Sequence, residues 1–356
     1  MKLLLMFVLH SLVIININAQ MSIGLRSYYT NINKAEAFVI CGDYYRAIQY
    51  YDSAFQVPGV QPFAADVYHD AICLSRAKQY NKTIECLSNL VRMGYNLNML
   101  KNNLEFQNCL RSSAGTSFVN NPRRYGSCEI KDTVLKRKLQ RMAYADQLYR
   151  KVPGYYGLFK DKVDSIDKVN STDLTKIINE DGFPGETIVG IDSGNIYMQM
   201  YQLIILHQCA GPRQIINFSQ QIFEALNNGY INNRIGSYLI ERSNGTLMEY
   251  CTQLVNLCVY DSLAEVENYL ELGDSVILAR NKNAFYGFAK LLDDEEAQLN
   301  INRKRIGLDD LETTRNKLQF CLKDKAFHFY QFSTSIYLMA HKSDYDYFVS
   351  HQIPLK

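Results

Sequence analysis

Apolar positions in this chain recur mainly at the three- and four-residue spacing of amphipathic helices. The most regular stretch lies near the amino terminus, where Gly42-Asp43-Tyr44-Tyr45-Arg46-Ala47 leads to Tyr51, Ala54 and Pro58. A 36-residue shift lays Tyr44 on Tyr80, Ala47 on Thr83, Tyr51 on Leu87 and Ala54 on Leu90, with Lys78 in place of the turn glycine Gly42. A small residue at one position lets paired helices approach closely, and the large residue four places on fills the groove between turns. Two such units, over residues 27 to 94, each leave an apolar face uncovered. The segment Gly94 to Leu110, with Leu97, Leu100, Leu104 and Phe106, is expected to cap the last face. The turn-formers and charges of Ser112 to Ser127 then break the pattern.

Residues 27–94 resemble tetratricopeptide repeats in period and in the placing of small and aromatic residues. The resemblance implies helical hairpins and a protein or peptide partner. A repeat domain with its cap is therefore expected over 27–118, a helical domain over 132–322, and a carboxy-terminal extension over 323–356.

Helical spacing in the second half begins at Asp132 to Lys151 and continues at Ser171-Thr172 up to Gly182. Phe183-Pro184-Gly185 cannot extend that helix, because proline lacks a backbone donor and glycine favours a turn. Further patterns run over Ile196–Gln208, Pro212–Asn228, Asn232–Glu241, Asp261–Leu272 and Leu308–Leu322, whereas β-like runs occur only at Ser275–Leu278 and His328–Tyr337. The predicted fold class is mainly α: helical hairpins followed by a helical domain with at most a small β element.

Lys2 precedes an apolar run, Leu3 to Ile17, that closes at Asn18-Ala19. It is shorter than the roughly 20 residues a bilayer span needs, so residues 1–19 are expected to be a cleaved export signal, giving a periplasmic or secreted product with no stable membrane insertion. The 356 residues carry 38 Lys and Arg against 36 Asp and Glu, a net charge of +2, which argues against a nucleic-acid partner. Trp is absent, so 26 Tyr and 17 Phe must anchor the core.

Nine cysteines without CxxC pairs predict mostly buried thiols and one or two disulfides. The six histidines are scattered, so no zinc site, and no other metal or cofactor site, is expected. Asn-x-Ser/Thr triplets occur at Asn81, Asn170, Asn217 and Asn244. There is no GxSxG elbow, no GxxxxGK[ST] loop and no HExxH. Asp293-Asp294-Glu295-Glu296 is expected to start a solvated helix, and Arg303-Lys304-Arg305 to lie on a solvated face.

An ordered set of short motifs spans residues 140 to 318: Asp146-Gln147-x-x-Arg150, Asp173-Leu174, Gly182-Phe183-Pro184-Gly185, Val189-Gly190, His207, Gly229, Arg242, Tyr250-Cys251-Thr252-Gln253 and Arg305-Ile306-Gly307-Leu308. In this order they resemble an uncharacterised family of bacterial domains, which implies a helical fold and supplies no reaction. Cys251 stands where that pattern has glycine, and Leu254 to Glu296 is longer than its usual connection.

Asp146 and Arg150 are one helical turn apart and can pair, either as a salt bridge or as an anion receptor oriented by the carboxylate. His207 follows an apolar stretch and is suited to acid–base work near neutral pH or to a structural hydrogen bond. Two functions follow. The first is an exported interaction protein without catalysis, binding a protein or peptide through the repeats. The second is a hydrolase-like enzyme acting on an anionic envelope substrate, with Asp146, Arg150, His207, Arg242 and Gln253 converging on one cleft.

Overall fold

The computed structural model describes residues 21–122, 130–152, 155–208, 215–244, 250, 253–259, 285–329 and 333–339, with short pieces at 346–347, 349–350 and 352–354. The expected export signal and the β-like run at Ser275–Leu278 lie outside the described residues, as does the helical pattern at Asp261–Leu272.

Two helix pairs open the fold: α1 (Ile23–Ile40) with α2 (Tyr44–Phe55), and α3 (Ala64–Arg76) with α4 (Tyr80–Met93). Ser22 and Asp43 cap α1 and α2 by accepting the backbone N–H of Leu25 and Arg46, each at 3.1 Å. The turn within each pair passes through a left-handed residue, Gly42 at φ 75° and Lys78 at φ 59°. Ala47, Tyr51 and Ala54 are fully buried, as are their offset counterparts Thr83, Leu87 and Leu90. The packing therefore repeats with the sequence.

The cap comprises α5 (Leu97–Asn102), a 3-10 turn (Leu104–Phe106), α6 (Gln107–Arg111) and α7 (Ser113–Asn120). Leu100 and Phe106 are buried as expected, but Leu104 is 86% exposed. The segment after Ser112 is a helix rather than a loop. Ser112 accepts the Gly115 N–H at 3.2 Å, and Phe118 is buried against the last pair. Gly115 is required there, because a Cβ would stand 2.2 Å from the Cys109 carbonyl oxygen.

The second half holds α8 (Thr133–Arg150), α9 (Tyr155–Leu158), α10 (Lys160–Asp181), α11 (Glu186–Val189), α12 (Gln202–Gln208), α13 (Ser219–Asn227) and α14 (Asn233–Asn244). Several boundaries differ from the sequence expectation: α13 begins at Ser219 rather than Pro212, and two others have a visible cause. Ser171 and Thr172 lie inside α10, where their hydroxyls donate back to the carbonyls of Asp167 (2.6 Å) and Lys168 (2.8 Å) and so need no helix end. Helix α12 begins at Gln202, not Ile196, because Asn195 Oδ1 takes the N–H groups of Tyr197 (2.9 Å) and Met198 (3.1 Å).

Strands β1 (Gln253–Val259) and β2 (Phe285–Ala289) precede α15 (Asp293–Arg305) and α16 (Leu311–Lys323), and β3 (Ser333–Met339) and β4 (Gln352–Pro354) follow them. The sheet order is β3-β1-β2-β4, with β1 parallel to β3 (Val255 opposite Ser335) and antiparallel to β2 (Leu254 opposite Phe288). The fold is thus mainly α with one small sheet. Arg303 departs from the expected solvated face: it is buried and donates to the Asp309 carbonyl at 2.6 Å and to the Tyr250 carbonyl. Asn170 is buried too, with its amide donating to the Met142 carbonyl at 3.0 Å, so that triplet offers no surface acceptor. The thiols of Cys41, Cys73, Cys86, Cys109 and Cys321 are free.

One continuous apolar core runs from Met21 to Phe329 and takes residues from both the repeats and the second half. Polar contacts cross the same seam. Arg76 at the end of α3 holds Glu105 (2.9 Å) and Asp324 (2.5 Å), while Glu186 accepts the Ala64 N–H (2.8 Å) at the start of α3, which has no cap of its own. Among the described residues no helix is long and apolar enough to cross a membrane.

Candidate functional site

Helix α8 presents Asp146 and Arg150 on its inner face at the four-residue spacing seen in the sequence. Helix α12 packs against α8 and α10 and brings His207 to the same place. His207 Nδ1 lies 2.6 Å from Asp146 Oδ2. An ionised carboxylate only accepts, so Nδ1 is the donor in this contact and Nε2 is the ring nitrogen left facing outward. Three of the five residues singled out from the sequence are therefore assembled, although His207 is 61 positions from Asp146.

Asp146 is held from every side. Its Oδ2 also accepts from Gln147 Nε2 (2.8 Å), and its Oδ1 accepts from Arg150 Nη1 (3.0 Å). The other edge of Arg150 donates to both oxygens of Asp167 on α10 at 2.7 and 2.6 Å. Burial pushes the Asp167 carboxyl up, and the Arg150 hydrogen bonds pull it back down. Asp167 was not recognisable from sequence, since it lies on a different helix at no helical spacing from Arg150. Exposure rises outward through the cluster: the side chain of Asp146 is 0% exposed, that of Arg150 9% and that of His207 28%.

This geometry settles the role of Arg150 as a salt-bridge partner. Four acceptors, the Asp146 backbone oxygen included, already occupy its two terminal nitrogens. An anion receptor would need at least one edge facing solvent. The chemically available atom is His207 Nε2, which has no partner among the described residues. Arg242 sits on the last turn of α14 with its guanidinium 5.3 Å from the Tyr238 ring centre and its Nη2 donating to the Tyr238 hydroxyl at 3.3 Å. Gln253 opens β1, opposite Ser333 of β3.

A second polar centre lies where the repeats meet the second half. Glu36 of α1 is fully buried and accepts from Arg234 of α14 and from Lys317 of α16, the latter at 2.5 Å. Asp66 of α3 accepts from the Tyr28 hydroxyl at 2.6 Å, and Lys317 also pairs with Asp309. The signal for it in the sequence was a run of charge inside an apolar helix: in α3 every residue from Ala64 to Ser75 is buried, Asp66, His69 and Asp70 included. The face carrying Glu36, Asp66 and His69 is thus covered by the chain itself. What stays open beside it is a cleft of about 470 Å³ at the seam, lined by Tyr68, Tyr95, Asn103, Tyr197, Lys325 and His328 among others.

Compared with known proteins, the chain matches no family model, no curated protein and no solved structure.

Proposed function

We propose that the second half is a hydrolase-like enzyme domain with His207 as general base and acid. The observation that carries this reading is the 2.6 Å contact that fixes His207 Nδ1 on a fully buried Asp146. Held this way, Nε2 is presented as the base, and the imidazolium that forms on proton uptake is stabilised by the carboxylate behind it. Gln147 and the Arg150–Asp167 pair keep that carboxylate in one orientation, as an orienting group requires. Because Arg150 is consumed internally, binding of an anionic substrate would fall to other groups.

The test is a panel of chromogenic ester, phosphoester, glycoside and amide substrates with the wild-type chain and His207→Gln. Turnover of one class that is lost in the variant, at an unchanged melting temperature, supports the assignment. Turnover retained in the variant overturns it.

The second reading is an interaction protein without catalysis, and the seam cleft favours it. With the buried faces of α1 and α3 occupied by Arg234 and Lys317, a protein or peptide partner would engage the tyrosines of the cleft rather than that face. For either reading we propose export, on the strength of the apolar run Leu3 to Ile17 before Ala19. Amino-terminal sequencing of protein recovered from the cell envelope should then start near Gln20.

A further inference from the structure

The buried centre between the repeats and the second half holds a feature that neither functional reading uses. Glu36, Asp66 and His69 are each fully buried, and one donor atom from each lies within 4.8 Å of the other two. Two of these residues also carry a buried polar atom with no hydrogen-bond partner, Asp66 Oδ1 and His69 Nδ1. The nearest cation to Asp66 Oδ1, Arg234 Nη1, is 3.7 Å away and outside hydrogen-bond range. A buried polar atom left unpaired costs about 1–3 kcal/mol, so such atoms are rare in folded proteins.

The charge balance points the same way. Four carboxyl groups meet here, Glu36, Asp66, Asp309 and the neighbouring Glu186, against two cations, Arg234 and Lys317. With all four ionised, two negative charges remain uncompensated away from water. A doubly charged cation would balance the set.

We propose that Glu36, Asp66 and His69 form a site for one divalent transition-metal ion, bound through His69 Nδ1, Asp66 Oδ1 and the Glu36 carboxylate, that ties α1 to α3 beneath the second half. One imidazole nitrogen with two carboxylates suits zinc, manganese, iron, cobalt or nickel, whereas calcium needs six to eight oxygens. Tyr197 stands behind the imidazole with its hydroxyl 3.2 Å from His69 Nε2. With Nδ1 ligating an ion, Nε2 would carry the proton and the Tyr197 hydroxyl would accept it, as outer-shell partners of metal-bound histidines do. In the structure the His328 N–H donates to the same Nε2 at 3.3 Å, which puts the ring proton on Nδ1, so ligation requires that proton to move to Nε2 and this contact to give way to the bond with Tyr197. The site is sealed, so the ion enters as the chain folds.

The experiment uses the full chain, unfolded in denaturant and refolded either with a chelator or with Zn²⁺, Mn²⁺ or Co²⁺, then exchanged into metal-free buffer. The expected result is about one ion per chain by elemental analysis, retained until the protein is unfolded again, with a higher melting temperature than the chelator-refolded sample. The Co²⁺ form should show visible absorption bands that are lost in Asp66→Asn and His69→Gln. Fewer than about 0.1 ions per wild-type chain with all three metals would overturn the proposal and leave a bridging water as the occupant. Equal retention in wild type and both variants would also overturn it, by placing the ion elsewhere. If the variants fail to fold, the wild-type stoichiometry decides alone.

Discussion

Lys317 Nζ lies 2.5 Å from Glu36 Oε2, although 281 residues separate the two in sequence, and neither side chain exceeds 1% exposure. The first and one of the last of the described helices are thus joined by an ion pair that water does not reach. Such a pair gains little over an apolar replacement, but removal of one member leaves a bare buried charge. Lys317→Met leaves Asp309 without its cation and Glu36 with Arg234 alone, so it should cost about 3–5 kcal/mol, and Asp309→Asn combined with it should recover part of that loss. Urea midpoints of the single and double variants measure both quantities.

Arg150 and His207 belong to one cluster but should respond differently to substitution. Arg150→Met strands the Asp146 and Asp167 carboxylates and is expected to cost about 3–5 kcal/mol. His207→Gln removes a partly exposed ring and should shift stability by less than about 1 kcal/mol. Thermal melts of the two variants side by side check this. A large loss in His207→Gln would make the histidine structural.

Glu186 and Asp66 have carboxyls raised above their ordinary values of 4.5 and 3.8, chiefly by burial. The folded chain therefore holds these protons more tightly than the unfolded one. The stability they contribute is complete below about pH 4 and is lost as pH rises through about 6 and then about 8. Glu186→Gln removes the later part of that loss and keeps an oxygen to accept the Ala64 N–H. Melting temperatures from pH 5 to pH 9 should fall more steeply in the wild type than in the variant; parallel curves would refute the assignment.

Gly42 and Lys78 occupy the same left-handed turn in successive helix pairs. A Cβ at Gly42 would meet nothing within 4 Å, so Gly42→Ala should lose only the backbone preference, about 1 kcal/mol. Lys78→Gly relieves the same strain and should be neutral or stabilising by up to about 1 kcal/mol. Ala47→Leu, at a fully buried small position, should overpack the pair by about 1–3 kcal/mol. Denaturant midpoints measured on the three variants rank these effects.

Local order was legible in the sequence because it rests on local physics. Helical periodicity, the start at Asp132, the stop at Gly182 and the buried small and large positions Ala47 and Tyr51 each depend on residues within a few turns of one another. The pairing of Asp146 with Arg150 was legible for the same reason, since one helical turn separates them. Other features depended on which distant surfaces came together. Asp167 joins Arg150 only because α10 packs on α8, and strands β1 and β2 exist only through partners that no local pattern names. The burial of Arg303, the ion pairs of Glu36, and the unpaired Asp66 and His69 atoms arise where the second half closes over the repeats. Only tertiary structure could decide them, because the burial of a charge depends on what packs over it, and hydrophobic period along a single helix says nothing about the identity of its cover.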